Sequence, residues 1–299
     1  MITIEITPRD HCRRLESFLR NLLPASQFSY PRKLIKSGAV RLNDAPASPD
    51  TFLTVHDTIT LKESDTIKGL LSEARPTLDI LYEDSHIVVV NKPSGLAMHR
   101  TAEQETNLVE EGMAFMAWRQ TPCKLYPVNR LDRGTSGTVI LAKSSSSAGI
   151  YGRQVKETGL DKLYLALVEG RPDDAGVINQ PLDDKESETR YQVLMAGTDC
   201  TLLAIIPISG RMHQIRRHLE MVGHPVMGDK RYGSQILPEL TGFALHSFRT
   251  ALAMPNNSSL VVCAPLSEEF LDLCGRRGIG TEELLAALQE LATKQPPEV

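Results

Sequence analysis

Three stretches of this 299-residue chain gather the residue types that chemistry needs: NKPSG at 91–95, NRLDRGTSG at 129–137, and SGRMHQIRRHLEMVGHPVMGDKRYG at 209–233. In the second, Asp132 lies between Arg130 and Arg133 and just before Gly134-Thr135-Ser136-Gly137, a turn-prone run that leads into the apolar TVILA. Flanking guanidinium groups favour the charged carboxylate. That suits a nucleophile or an electrostatic anchor better than an acid that must hold a proton. The same pattern also describes an aspartate that caps a turn while its neighbours form surface pairs, so spacing alone leaves both readings open.

The third stretch bears on that choice. On a helix beginning near Arg211, the residues Met212, Ile215, Leu219 and Val222 form one apolar stripe, with Arg211 and Arg216 at its opposite borders and Arg217 pointing away. A guanidinium at the edge of a core needs an anionic partner, because leaving it desolvated and unpaired costs on the order of 3 to 5 kcal/mol. Asp132 is a candidate partner, and the alternative is an Arg216 that reaches solvent along its own stem.

Other chemistries fit poorly. His213, His218 and His224 are spaced so that neighbours fall on different helix faces, with no His-Glu-x-x-His arrangement, and no metal is expected. Gly134-Thr135-Ser136-Gly137 is not a Gly-x-Ser-x-Gly elbow, and there is no Gly-x-x-x-x-Gly-Lys phosphate loop. Cys12, Cys123, Cys200, Cys263 and Cys274 stand singly and read as reduced structural thiols.

The elements that must position these residues follow from periodicity. From Leu78 onward the pattern is mostly strands: LDILYED, HIVVVNKP, TVILAK, KLYLALVEG, TRYQVLMA and CTLLAIIPIS. Helices are expected at 107–118, 145–156, 211–221 and 282–292. Adjacent strands with few helices between them predict an α+β domain on a mostly antiparallel mixed sheet. Ahead of it, residues 11–23 read as an amphipathic helix, a second helix starts near Ser29-Pro31 and ends at Gly38, and AVRLN and 52–61 read as strands. The expected organisation is a small N-terminal α/β module at 1–65, a polar linker at 66–77, a catalytic domain at 78–275, and a C-terminal helix and tail at 276–299, with KQPPEV disordered.

The net charge is −4, but it is unevenly spread. Between Pro8 and Arg41 eight Lys or Arg face two acids, whereas 157–190 carries nine acids against four bases. A basic cluster is what phosphate attraction needs, and it is also what an ordinary solvated face looks like. No apolar run approaches the roughly 18 residues of a membrane span, and MITIEITPRD lacks the apolar core of an export signal. A cytoplasmic address, no membrane role and a monomer are expected.

NRLDRGTSG, KLYLALVEG about thirty residues later, GRMHQIRRHL, GHPVMGDKRYG and finally LHSFRTALAMP occur in an order that resembles the RluA-type pseudouridine synthase family over roughly residues 78–267. The N-terminal module resembles the S-four-type RNA-binding domain that often precedes that domain. The resemblance implies the pseudouridine synthase fold and isomerisation of uridine to pseudouridine within RNA, without metal, nucleotide or other cofactor. It implies that Asp132 is the catalytic aspartate, that Tyr164 packs on the target base and assists proton transfer, and that Arg216 is the salt-bridge partner of Asp132. Arg130 would help to extrude the nucleotide. Arg133, Asn91, Lys92, Arg211, His213, Gln214 and Ile215 would line the substrate, and Arg13, Arg14, Arg32, Lys33 and Lys36 would hold RNA. Ribosomal RNA of the large subunit is the favoured partner, with transfer RNA as the alternative and a non-catalytic RNA-binding protein on the same scaffold as the rival. Two departures stand out: Asn129 where the family motif commonly has His, and His56-Asp57 where the RNA-binding domain usually has Gly-Asp.

Overall fold

A computed structural model describes residues 1–72, 78–100, 106–254 and 258–293. The chain opens with β1 (Ile2–Glu5), α1 (Leu15–Leu22), α2 (Tyr30–Lys36), β2 (Val40–Leu42) and β3 (Thr58–Leu61). The strands form an antiparallel sheet in the order β1-β3-β2, and Leu15, Leu19, Leu34, Ile35, Val40, Ile59 and Leu61 fill a core of their own between sheet and helices.

Two expectations are corrected here. The first helix starts at Leu15, not near 11, because Cys12 takes a left-handed backbone (φ 61°) and the chain at Arg14 pairs with Phe52 instead of coiling. The segment read as a polar linker begins with α3 (Asp65–Ser72). Ile67, Leu70 and Leu71 lie at i, i+3 and i+4 and pack on the N-terminal core. Residues 73–77 of that segment lie outside the described residues, as does the tail KQPPEV.

The larger unit comprises β4 (Ile80–Glu83), β5 (Ile87–Lys92), α4 (Leu108–Trp118), β6 (Tyr126–Pro127), β7 (Ser136–Ala142), α5 (Ser145–Thr158), β8 (Asp161–Glu169), β9 (Ala175–Ile178), β10 (Thr189–Ala196), β11 (Cys200–Pro207), α6 (Gln214–Met221), β12 (Leu245–Ala253), β13 (Ser259–Cys263), α7 (Glu268–Arg276) and α8 (Thr281–Thr293). Its ten strands form one mixed sheet in the order β4-β5-β7-β12-β8-β11-β10-β9, with β6 beside β7 and β13 beside β12. Every pairing is antiparallel except β7 with β12. The α+β class is therefore as expected. The middle strands read as near-continuous apolar runs because both faces are covered: Val88, Val90, Leu163, Leu165, Leu167, Leu203 and Ile205 are all fully buried.

The parallel contact is short, with His246 opposite Ser136 and Ser247 opposite Gly137. Gly137 sits at φ 111°, and a β-carbon there would run into the backbone of Ser247. Only glycine allows the two strands to meet at this point. The meeting point matters because β7 emerges from the loop that carries Asp132.

Helix α1 joins the two units. Arg13, only 4% exposed, donates from both terminal nitrogens to Asp79 (2.6 and 3.0 Å), and its Nε lies 2.8 Å from Asp10. Ser17 donates to the Ile80 carbonyl at 2.6 Å. Arg20 pairs with Glu16 at 2.7 Å and with Glu83 at 3.3 Å. The buried Glu83 also accepts from Arg119 and from Lys143 (2.6 Å). Burial by itself raises the pKa of Glu83, but Arg119, Lys143 and Arg20 outweigh it and hold the carboxyl below its ordinary value. Arg13 and Arg20 therefore face the larger sheet and not solvent. Arg14 is engaged with Asp50 at 2.6 Å, and Arg32 with Glu16 at 2.6 Å. Of the five cations expected to hold RNA, Lys33 and Lys36 are exposed.

Helix α8 also reaches both units. Leu284, Leu288 and Ala292 join the main core, while the Leu285 carbonyl meets His11 Nε2 at 2.7 Å. Helix α7 was not foreseen. Its Ser267 caps the first turn by accepting from Phe270 N–H, and Phe270, Leu273 and Cys274 face the core.

Candidate active site

The loop between β6 and β7 is fixed from three sides. Asn129, buried, accepts from Ile140 N–H (2.8 Å) and donates to the Thr138 carbonyl (3.2 Å), so its amide folds the loop back along β7. A turn closes from Thr135 N–H to the Asp132 carbonyl at 3.1 Å. It is the main chain of Asp132, not its side chain, that caps the turn. The NKPSG segment then clamps the loop. Gly95 N–H donates to the Arg133 carbonyl (2.8 Å), Ser94 Oγ to the Gly134 carbonyl (2.7 Å), and Lys92 Nζ to the carbonyls of Pro93, Leu96 and Arg133 (2.8, 2.8 and 3.1 Å).

These bonds free the Asp132 carboxylate for Arg216. Arg216 Nη1 donates to Asp132 Oδ2 at 2.7 Å, while its Nε and Nη2 donate to both oxygens of Asp229 at 2.6 and 2.9 Å. Asp229 is 2% exposed. Burial disfavours the charge on Arg216, but the hydrogen bonds to Asp229 and Asp132 more than offset it and raise its pKa above the ordinary value. The rings of Phe243 and Tyr232 cover the guanidinium at 4.2 and 4.8 Å. The second oxygen of Asp132 stays open: the basic group beside it, His213 Nε2, is 3.7 Å away, beyond hydrogen-bond reach. A carboxylate with one oxygen anchored and the other free can act on a substrate without losing its orientation.

Asp132 lines a cavity of about 400 Å³ whose walls include Val128, Val155, Lys162, Tyr164, Pro207 and Leu245. Tyr164 is buried on β8, and its phenol is pushed up to about 12 by burial, partly offset by Ser247 across the β8–β12 pair and reinforced by the charge of Asp132. It is a neutral phenol at physiological pH, fit to stack on a base and to donate a hydrogen bond. His213 takes a left-handed backbone (φ 54°) that starts α6 at Gln214, later than the expected Arg211. Its pKa is lowered, first by burial, and its Nδ1 meets Tyr232 Oη at 2.9 Å. The late start also corrects the apolar stripe. Ile215 and Leu219 are buried, whereas Met212 and Val222 are exposed.

The expected substrate contacts divide. Arg130, Arg211, His213, Gln214 and Ile215 line the cavity with Asp132 and Tyr164. Gln214 nevertheless spends its amide on Arg211 N–H, Ser209, Glu188 and Thr189. Asn91 does not face this cavity: it donates to Asp79 and to the Pro265 carbonyl. Lys92 has no exposed surface and serves the loop backbone. Arg133 turns away to donate to the Gly95 carbonyl at 2.9 Å. The guanidinium groups beside Asp132 in sequence are thus not its partners. Asp229 was missed, although GDKRYG was in view. A carboxylate between Gly and Lys reads as a surface turn, and only the fold shows it to be buried. His218 is held by Thr189 and Ser187, and His224 by the Glu169 carbonyl. Among the described residues no group of three His, Cys, Asp or Glu could hold a metal, and no helix is long and apolar enough to cross a membrane.

The mixed sheet that carries this site has the fold of the pseudouridine synthases. The solved structure of human RNA pseudouridylate synthase domain containing 1 superposes with a TM-score of 0.57 at 24% identity, over 75% of this chain and 99% of that one. Residues 86–221 match the family model for RNA pseudouridylate synthase. Ribosomal large subunit pseudouridine synthase C of Buchnera aphidicola is 32% identical over 290 residues, covering 86% of this chain and 91% of that protein. The protein of the same name from Vibrio parahaemolyticus is 31% identical over 288 residues, covering 86% and 90%. The chain belongs to the RluA-type pseudouridine synthase family and is a pseudouridine synthase.

Proposed function

We propose that the enzyme isomerises uridines of large-subunit ribosomal RNA, with Asp132 as its nucleophile. The observation that carries this reading is the Asp229–Arg216–Asp132 chain, which anchors one oxygen of Asp132 and leaves the other without a hydrogen bond, at a cavity that Asp132 and Tyr164 line together. The target nucleotide leaves its stack and enters this cavity, with the exposed Arg130 at the rim meeting its backbone. Asp132 acts at the sugar, the glycosidic bond breaks, the free base turns while held against Tyr164, and C5 takes the place of N1. Arg211 and His213 stand beside the same cavity and complete the nucleotide contacts. The bacterial relatives named for the large ribosomal subunit support that RNA as substrate over transfer RNA. A monomeric, cytoplasmic protein is consistent with such work.

The test is to incubate the purified protein with unmodified transcripts of large-subunit ribosomal RNA and of transfer RNAs and to map pseudouridine. Product on the ribosomal transcript, lost in Asp132→Asn, is expected. Product on transfer RNA alone overturns the substrate, and an active Asp132→Asn overturns the nucleophile.

The N-terminal unit serves as an S-four-type RNA-binding module, but through fewer cations than its composition implies. Lys33 and Lys36 on α2 are its free contacts, while Arg13 and Arg14 are committed to carboxylates. Replacing both lysines by alanine is expected to weaken RNA binding and to reduce the slope of log K against log salt by about 2 at most. Unchanged binding would remove the module from RNA contact.

A further inference from the structure

Resting on the reading of Asp132 as the group that acts at the sugar, we propose that Lys162 is a further catalytic residue, whose ammonium meets a carbonyl oxygen of the target pyrimidine and stabilises the charge that the base acquires when its glycosidic bond breaks.

Lys162 and Tyr164 are alternate residues of β8, so their side chains leave the same face of the sheet about 6.6 to 7 Å apart. Both line the cavity that holds Asp132. A pyrimidine lying against the Tyr164 ring, with its sugar at Asp132, has its carbonyl edge within reach of a lysine two residues along the strand.

What sets Lys162 apart from the other cations near the site is that nothing occupies it although it is half-buried, whereas Arg130, also without a partner among the described residues, is exposed. Lys92 holds three carbonyls, Lys143 holds Glu83, Arg216 holds two aspartates, and Arg211 donates to the Glu186 carbonyl. Among the described residues Lys162 makes no hydrogen bond and no ion pair, and burial alone, with no carboxylate to offset it, lowers its pKa. A half-buried ammonium without a partner is costly in a folded protein. A ligand oxygen that enters the cavity would relieve that cost.

The surroundings identify the oxygen. Continuing the β8–β11 register from Tyr164 and Ile205 brings Pro207 beside Lys162, and Val128, Val155 and Leu245 line the same cavity. Pro207 has no N–H to offer. A phosphate needs several donors to leave water, and one ammonium among apolar walls is a poor substitute. The exposed Arg130 is better placed for that group. A flat, neutral ring whose carbonyl gains charge only during the reaction suits this environment, because a fixed cation in a dry site acts most strongly on charge that develops in the transition state.

The chemistry balances without a further reactant. When the bond between N1 and C1′ breaks, its electron pair stays with the base, giving a uracil anion with charge on its carbonyl oxygens, while the Asp132 carboxylate bonds to C1′. After the base turns, the C5 electron pair bonds to C1′ and displaces the carboxylate. The C5 proton is then lost and N1 takes one up, so no proton is gained or consumed overall. Lys162 transfers none; it lowers the energy of the anion between the two bonds.

The experiment compares Lys162→Met with the wild type on a large-subunit ribosomal RNA transcript, reading single-turnover rate, RNA affinity against salt, and thermal unfolding. The expected result is a rate lower by about 10² to 10³-fold, the range for losing one donor to a developing oxyanion. Affinity and its salt slope should not change, and the unfolding temperature should be no lower, since an unpaired charge has been removed. An unchanged rate overturns the assignment. So does an unchanged rate with weaker binding and a salt slope smaller by about one, which would mark a phosphate contact. Should Lys162→Met fail to fold, Lys162→Gln is read against Lys162→Arg, and equal rates for the two overturn it as well. A wild-type protein inactive on ribosomal and transfer RNA would instead count against the function proposed above.

Discussion

Asp229→Ala is the substitution whose outcome the structure fixes most closely. Asp229 is 2% exposed and accepts two of the three hydrogen bonds that Arg216 makes to carboxylates. Removing it leaves a buried guanidinium with Asp132 alone, and breaking a buried pair by taking away one partner costs about 3 to 5 kcal/mol. The bond to Asp132 and the Phe243 and Tyr232 rings remain, so the lower end, about 3 kcal/mol, is expected. For a chain of this size that is a fall of about 5 °C in unfolding temperature. Activity should fall further than stability. Arg216 loses the two bonds that fix its plane, and displacing a positioning group by about 1 Å can cost on the order of 10²-fold in rate. Thermal unfolding gives the first quantity. Single-turnover release of tritium from RNA labelled at uridine C5 gives the second, because C5 loses its hydrogen in the isomerisation. A double substitution, Arg216→Met with Asp229→Leu, should recover at least half of the stability lost in Asp229→Ala, since the one carboxylate left without Arg216 is the part-exposed Asp132 and no buried charge is stranded. Additive losses, or an Asp229→Ala protein within about 1 kcal/mol of the wild type, would refute the reasoning.

Asp132→Asn should show the opposite profile: no detectable pseudouridine, yet an unfolding temperature within about 4 °C of the wild type, because Asp132 is part-exposed and Arg216 keeps Asp229. Stability should also fall in mild acid. Buried His246 donates from Nε2 to the Ala264 carbonyl and accepts at Nδ1 from Ser136, and burial lowers its pKa from 6.5 to about 4. Below pH 6.5 the unfolded chain takes up a proton that the folded chain refuses, so the loss begins there and ends near pH 4, at about 3 kcal/mol in total. Urea midpoints across that window check it, and a His246→Gln protein with the same slope would count against it. Gly137→Ala should cost several kcal/mol, about 4 or more, because the added carbon meets the Ser247 backbone at a φ of 111°. Soluble yield and unfolding temperature read it.

How much of this was legible in the sequence depended on whether the cue was local. Short apolar runs gave the strands of the sheet, and a helical stripe gave α6, whose Ile215 and Leu219 are buried as expected. Its start was misjudged because nothing in Arg211-Met212-His213 announces a left-handed His213. The Arg216–Asp132 pair was within reach because each residue lay in a motif and burial demanded a partner. Asp229 was not, since it meets Arg216 only once α6 has packed, with Phe243 and Tyr232 covering that guanidinium, contacts that no local pattern encodes. Asn129 became intelligible only with coordinates. Its amide ties both directions of the β7 backbone, and the open oxygen of Asp132 is reached without it.

The N-terminal arginines show why charge counts mislead most where two units meet. Eight basic residues against two acids in 8–41 look like an RNA-binding face. Yet Arg13 and Arg20 find their carboxylates, Asp79 and Glu83, more than sixty residues away, at the start of the catalytic sheet. A count confined to one segment cannot include partners that folding brings from another. Since Glu83 also gathers Arg119 and Lys143, the first unit is keyed into the second by buried charge. Deleting residues 1–65 would strip Asp79 of Arg13 and expose the faces of β4 and α8 that α1 and His11 now cover. A truncated enzyme that binds RNA poorly would therefore report lost stability as readily as lost contacts. Substituting Lys33 and Lys36 separates the two, because both lie on the outer face of α2 and carry none of the interface.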